Sequence, residues 1–165
     1  YPEKVCVVCA IQTKATTKMI EKEIYKVFKP QLTPKKMLEL GVFGGSYFVD
    51  GNTREFPKEW FKKAKISTKF DVTVNYFKIE SGLSRKEWID KGWIFKQDPL
   101  GWFQWYCRFT NGRRIHEIDI IQIKRWKAFG DRHGPAVKKN CEEGDIQCRK
   151  RQRQALLQWA YDPFF

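Results

Sequence analysis

The residues with most chemistry to offer are an amide, a set of arginines and the aromatics beside them. Gln104 and Arg108 stand four positions apart inside Trp102-Phe-Gln-Trp-Tyr-Cys-Arg-Phe109, a run with five aromatics in eight residues. On a helix that spacing puts both on one face, lining a pocket or groove, while Trp102, Phe103, Trp105, Tyr106 and Phe109 bury most of the remainder. A carboxamide donates and accepts, which suits a base edge and equally suits a backbone group inside the core. A guanidinium is a planar fork that grips phosphate or a guanine edge and stacks on a base. Arg113 and Arg114 follow at once, and Arg149-Lys150-Arg151-Gln152-Arg153 places four positive charges in five residues. With Lys124, Arg125, Lys127, Lys138 and Lys139 they make a basic C-terminal half in which arginine rises, whereas lysine dominates the first 83 residues. The pattern predicts a phosphate-contacting surface there. Trp102 and Trp105 are the candidates for stacking on an unpaired or flipped base, against their ordinary use as core.

The charge balance points the same way. Among 165 residues, 32 Lys and Arg face 19 Asp and Glu, a formal net charge of +13. Nucleic acid is the first expected partner, DNA ahead of RNA, with an acidic membrane surface or an RNA–protein assembly behind it. Solubility alone is the plainer explanation. No run of about 18 apolar residues is present, so no membrane span is expected. The opening Tyr1-Pro-Glu-Lys-Val-Cys-Val-Val-Cys-Ala-Ile11 is too short and wrongly flanked for a signal peptide, and the lack of an initiator Met points to a fragment or a trimmed product. Five cysteines without a dense framework argue for reduced thiols and an intracellular setting, nuclear or cytoplasmic.

Metal and catalytic signals are thin. Cys6, Cys9, Cys107, Cys141 and Cys148, with His116 and His133, offer zinc ligands from separated segments, but small buried hydrophobes are the commoner role of such cysteines, so no cofactor is expected and zinc is the alternative. Cys141 and Cys148 flank Glu142-Glu143-Gly144-Asp145 and are free, bridged or metal-bound on this reading. His116-Glu117-Ile118-Asp119, Asp131 near His133, and Asp162 are the conceivable acid–base residues. No P-loop, dinucleotide fingerprint, nucleophile elbow or kinase signature occurs. A small enzyme acting on a nucleic acid or nucleotide, with Gln104, Arg108, Glu117 and Asp119 near its pocket, is therefore the second reading. A structural subunit of a larger assembly is the third.

The elements that must position these residues are short. The reading is a mainly α, single compact domain over 17–165 with an aromatic core, preceded by an arm or strand over 1–16 carrying Val5, Val7, Val8 and Ile11. A small β element is placed near the N-terminus or within 66–80, where Phe70, Val72, Val74, Tyr76 and Phe77 form a strand or a packed loop. Thr17 to Phe28 has helical spacing of Met19, Ile20, Ile24, Val27 and Phe28; Thr33-Pro34 opens a helix that Gly41 closes. Gly44 and Gly45 permit positive φ or a close backbone approach. A turn at Asp50-Gly51-Asn52 leads to a short helix with Trp60 and Phe61, and Ser84 caps another that leaves at Gly92. Asp98 as N-cap, Pro99 at the first position and Gly112 as exit give a helix over 99–111. Glu117 to Phe129 is read as helix, though its isoleucines also suit a strand. A last helix runs from about Ile146 to Trp159 or Ala160, with Ala155, Leu156, Trp159 and Ala160 inward and Arg149, Lys150, Arg151 and Arg153 outward.

Lys91-Gly-Trp-Ile-Phe-Lys-Gln-Asp-Pro-Leu-Gly-Trp-Phe-Gln-Trp-Tyr-Cys-Arg108 and Cys148-Arg-Lys-Arg-Gln-Arg-Gln-Ala-Leu-Leu-Gln-Trp-Ala-Tyr-Asp162, with Phe43-Gly-Gly-Ser-Tyr47 and Arg125-Trp-Lys-Ala-Phe129, resemble a family of uncharacterised proteins found in bacteria, algae, fungi and large viruses. The resemblance covers roughly 33–163 and implies a single domain without assigning an activity. Val42-Phe-Gly-Gly-Ser-Tyr-Phe-Val-Asp50 is also similar to a segment in the helical DNA-binding domain of the base J-binding proteins. That family reads a glucosylated thymine with an aspartate just before its Phe-Gly-Gly element. Here Leu40 and Gly41 stand at the approach and Glu39 is the nearest carboxylate, so the recognition residue is not matched.

Overall fold

The computed structural model describes residues 22–165, and within them helices alternate with irregular, tightly packed connections. Helix α1 covers 22–27; α2 is Pro34–Glu39, α3 Arg85–Asp90, α4 Trp102–Thr110, α5 His116–Asn140 and α6 Lys150–Gln158. Two 3-10 turns, Lys58–Phe61 and Val72–Val74, punctuate the long connection between α2 and α3. There is no strand among the described residues, so 66–80 is a packed loop. The arm expected over 1–16 and the first part of the Thr17–Phe28 helix lie outside the described residues.

Two starts follow directly from local chemistry. Thr33 Oγ1 accepts from the Lys36 N–H and Pro34 opens α2. Ser84 and Glu87 form a reciprocal capping box at α3, so two orphan N–H donors are satisfied at once.

Helix α4 is the hub of the core. Trp102, Phe103, Trp105, Tyr106 and Cys107 are all buried, and Phe28 enters from beyond α1 to meet Trp105, Phe109 and Trp126 with ring centroids 5.4, 5.3 and 4.9 Å away. The helix begins at Trp102, three residues later than the sequence predicts, and Asp98 does not cap it. The Asp98 carboxylate is instead drawn to Arg108 and Arg113, and Gly101 turns the chain into the helix with φ 108°. The first turn of α4 is satisfied from elsewhere. Tyr47 donates to the Leu100 carbonyl at 2.8 Å and accepts from the Gln104 N–H at 3.0 Å, while Gln104 Oε1 takes the Leu100 N–H at 2.9 Å.

Helix α5 runs on to Asn140, past the expected end at Phe129 and through Gly130, Gly134 and Pro135. Packing overrides these breakers. The Tyr161 ring lies where a Cβ on Gly130 would sit, 2.1 Å from its Cζ; it stacks on Trp126 and donates to the Trp126 carbonyl at 2.7 Å. Val137, beyond the proline, is fully buried. Helix α6 begins at Lys150 and not near Ile146, because Asp145 Oδ1 holds the N–H groups of Gln147 and Cys148 in a turn and Arg149 takes the left-handed conformation at φ 56°. A disulfide joins Cys141 to Cys148 across that connection. Of the free, bridged and metal-bound alternatives left open for that pair, the structure has the bridge: the turn brings their Cα atoms to 5.8 Å, within bridging distance.

Candidate functional site

The arginines singled out in the sequence divide into those consumed by the fold and those left outside. Arg108 gives Nε and Nη2 to Glu55 at 2.9 and 2.8 Å and Nη1 to Asp98 at 3.0 Å. The Glu55 hydrogen bonds raise its pKa further above the ordinary arginine value. Arg113 closes a bidentate pair on the other side of the fully buried Asp98, at 2.8 and 2.7 Å. Arg114 lies over the Phe109 ring at 3.6 Å, and Arg125 donates to the Trp93 carbonyl at 2.9 Å, its pKa lowered by burial. Arg153, expected on the outer face of α6, is 0% exposed. Its guanidinium binds the carbonyls of Cys148, Asp145, Phe165 and Pro163, tying the start of α6 to the C-terminal residues. A nine-residue helix with a polar first turn hides this from pattern reading, because the partners belong to loops.

Gln104 and Arg108, expected to line a pocket or groove together, are each engaged by other parts of the fold. Gln104 is buried and caps the start of α4, while Arg108 is engaged on the Glu55 and Asp98 side. Trp105 is fully buried with its indole N–H on Asp119 at 2.8 Å, so stacking on a base would require leaving the core. Lys127 pairs with Asp131, and Lys138 lies over the Phe165 ring. Lys124, Lys139, Arg149 and Arg151 remain exposed without an ion pair among the described residues, and Lys150 is half-buried.

Several of the acid–base candidates make structural contacts, while Glu117 is exposed. Asp119 is buried and accepts from Trp105, from Tyr25 Oη at 2.9 Å and from the Ile115 N–H at 3.1 Å, so it binds α1, α4 and α5 together. His133 pairs with Gln152 at 2.9 Å, with its pKa lowered by burial and by Arg132. Asp162 accepts from the Phe164 N–H. Among the described residues no group of three or more His, Cys, Asp and Glu is placed to hold a metal ion. Cys141 and Cys148 are bonded to each other, Cys107 is buried with its thiol pKa pushed up, and Cys6 and Cys9 lie outside the described residues.

A large concave feature of the described surface lies elsewhere. A cleft of about 730 Å³ opens between the 43–50 segment, the 68–70 and 80–88 segments, and the facing sides of α4, α5 and α6. Its walls include Phe43, Trp88, Trp102, Phe129 and Trp159. Lys69, Glu80 and the Asp50–Arg85 ion pair line it with charge. Of the residues predicted to bind nucleic acid, only Trp102 contributes to it. The two glycines of the Phe43-Gly-Gly element shape one wall: the 67–71 strip crosses so closely that it donates the Ser67 N–H to Gly45 O and the Asp71 N–H to Gly44 O, and a Cβ on Gly44 would meet the Phe70 ring at 2.5 Å. The sequence flagged those glycines and Trp159, but nothing in it joined them to Trp88 and Phe129.

No family model, curated protein or solved structure shows a significant match to the chain, so function is argued from the site itself. Among the described residues no helix is long and apolar enough to cross a membrane.

Proposed function

We propose that the protein is a nucleic-acid-binding module, with DNA ahead of RNA, that contacts phosphate through Arg149, Lys150 and Arg151 at the start of α6. The observation that carries this reading is the charge left over after folding. The sequence has a surplus of 13 positive charges, and the ion pairs among the described residues occupy Lys26, Lys36, Arg85, Lys86, Arg108, Arg113 and Lys127 but leave Arg149 and Arg151 outside. Three cations on consecutive positions, one of them with only a Gln152 contact, are cheap to redirect onto phosphates. Arg108, Arg113 and Arg153 belong to the fold in this reading.

Fluorescence-anisotropy titration of duplex DNA, single-stranded DNA and RNA across about 50 to 200 mM salt tests it. The parent is expected to bind with an affinity that falls steeply with salt, and the combined Arg149→Ala, Lys150→Ala, Arg151→Ala variant to lose up to about 2.7 from the slope of log K against log salt, the share of three phosphate contacts. No binding at low salt, or an unchanged slope in the variant, overturns the reading.

A further inference from the structure

The cleft lies on the same helix as those cations. Arg151, Ala155, Gln158 and Trp159 follow one stripe of α6 at positions i, i+4, i+7 and i+8, and the last three line the cleft. One helical turn, about 5 to 6 Å along the axis, separates Arg151 from Ala155. The wall opposite is pinned to this stripe: Ser81 donates its hydroxyl to the Arg151 carbonyl at 2.7 Å, and Gln158 Nε2 donates to the Ser81 carbonyl at 3.2 Å. The cleft therefore begins where the exposed basic turn ends.

Resting on the nucleic-acid reading, we propose that this cleft takes one unpaired nucleobase, stacked on its aromatic walls, from a strand whose phosphate is held at Arg151. The cleft's volume, its aromatic walls and its polar groups carry the proposal. The volume, about 730 Å³, falls in the range of pockets that enclose small organic ligands. Trp88 and Trp159, half-buried with ring centroids 5.8 Å apart and planes tilted by 35°, put indole surface on the cleft wall beside Phe129, and stacking of a planar heterocycle on such surface is indifferent to sequence. Hydrogen-bonding groups stand among those faces as a base edge requires: the Ser46 hydroxyl makes no hydrogen bond among the described residues, and Gln158 Oε1 faces Gly82 while its Nε2 is engaged. The charged lining residues, Lys69 and Glu80 and the Asp50–Arg85 ion pair, balance one another, so the attraction for phosphate is left to Arg151 outside the cleft. Phe70 and Leu83, 49% and 45% exposed, also line the cleft, so apolar surface that is costly in the free protein would be covered by the base.

The test uses the whole chain, a single-stranded oligonucleotide carrying one 5-iodouracil, and the fully paired duplex of the same sequence. The parent is expected to prefer the single strand and, on irradiation, to give an adduct mapped by peptide mass spectrometry to Trp88, Trp159 or Phe43. Trp88→Ala should lower the ratio of single-strand to duplex affinity about tenfold, the loss of one stacking platform, and Trp88→Phe should restore most of it. Near-UV circular dichroism of each variant reports whether the core is kept, and Ser46→Trp, which fills the cleft from the opposite wall, should give the same fall in ratio. A ratio unchanged in Trp88→Ala and Ser46→Trp, or adducts only outside the cleft, overturns the cleft proposal while salt-dependent binding leaves the basic surface standing. Absence of binding to either oligonucleotide at low salt overturns both.

Discussion

Arg153 and Arg151 are two residues apart and carry the same side chain, yet their surroundings set opposite roles. Arg153 satisfies four loop carbonyls from a fully buried position, so Arg153→Ala leaves those acceptors without a donor and opens a void. The expected cost is about 3 kcal/mol or more, read as a lower urea midpoint, whereas Arg151→Ala should stay within about 0.5 kcal/mol. Equal effects would show that the buried guanidinium is not holding the C-terminal residues. The same contrast explains what the sequence could tell about the site. Residue type and local density located the basic turn at 149–151, but whether a guanidinium is free depends on partners such as Glu55, which is 53 positions from Arg108. Spacing within one helix carries no record of them.

At the scale of elements, the caps at Thr33 and Ser84 were legible, the one assigned to Asp98 was not, and neither were lengths. Thr33-Pro34 and Ser84 with Glu87 are local instructions, and both helices start where those residues stand. The extent of α5 is decided by Tyr161 and by the burial of Val137, contacts that no window around Gly130 or Pro135 contains. The α5–α6 connection has its own device in the Cys141–Cys148 bridge, which closes a loop of sequence separation 7. Constraining so short a loop is worth about 2.5 kcal/mol in the chain-entropy account. Treatment with dithiothreitol, or replacement of both cysteines by alanine, is expected to lower the melting temperature correspondingly, and to loosen amide-exchange protection at the start of α6 before that of α4. Identical melting curves with and without reductant would remove the bridge from the stability of the fold.

For the molecule as a whole, hydroxyls buried in an aromatic interior set a limit at high pH. Burial raises the pKa of Tyr47, Tyr106 and Tyr161 above the ordinary value of 10.0. The folded state therefore keeps these protons while the unfolded chain releases them, so stability is fully present below pH 10 and is lost as the pH rises beyond it. The melting temperature should drop steeply above that point. Tyr47, which bridges the Leu100 carbonyl and the Gln104 N–H, contributes about 1.4 kcal/mol per pH unit there, and Tyr47→Phe should make the pH profile shallower by about one proton while lowering stability at neutral pH. An unchanged alkaline slope in that variant would place its hydroxyl in contact with solvent. The helical class and the aromatic core follow from composition and periodicity, which are properties of the whole chain. The cleft is assembled from 43–50, 68–70, 80–88 and three helices, and so had no address in any one segment.

Five of the seven tryptophans also form a continuous relay. Ring centroids are 5.3 Å apart from Trp93 to Trp88, 5.8 Å from Trp88 to Trp159, 5.0 Å from Trp159 to Trp102 and 5.6 Å from Trp102 to Trp105. At such separations excitation energy hops between indoles faster than any of them emits, so light absorbed deep in the core reaches Trp88 and Trp159 at the cleft wall. A quencher touching either of those two rings would darken the whole set, and the protein's own ultraviolet emission becomes an antenna for whatever enters the cleft.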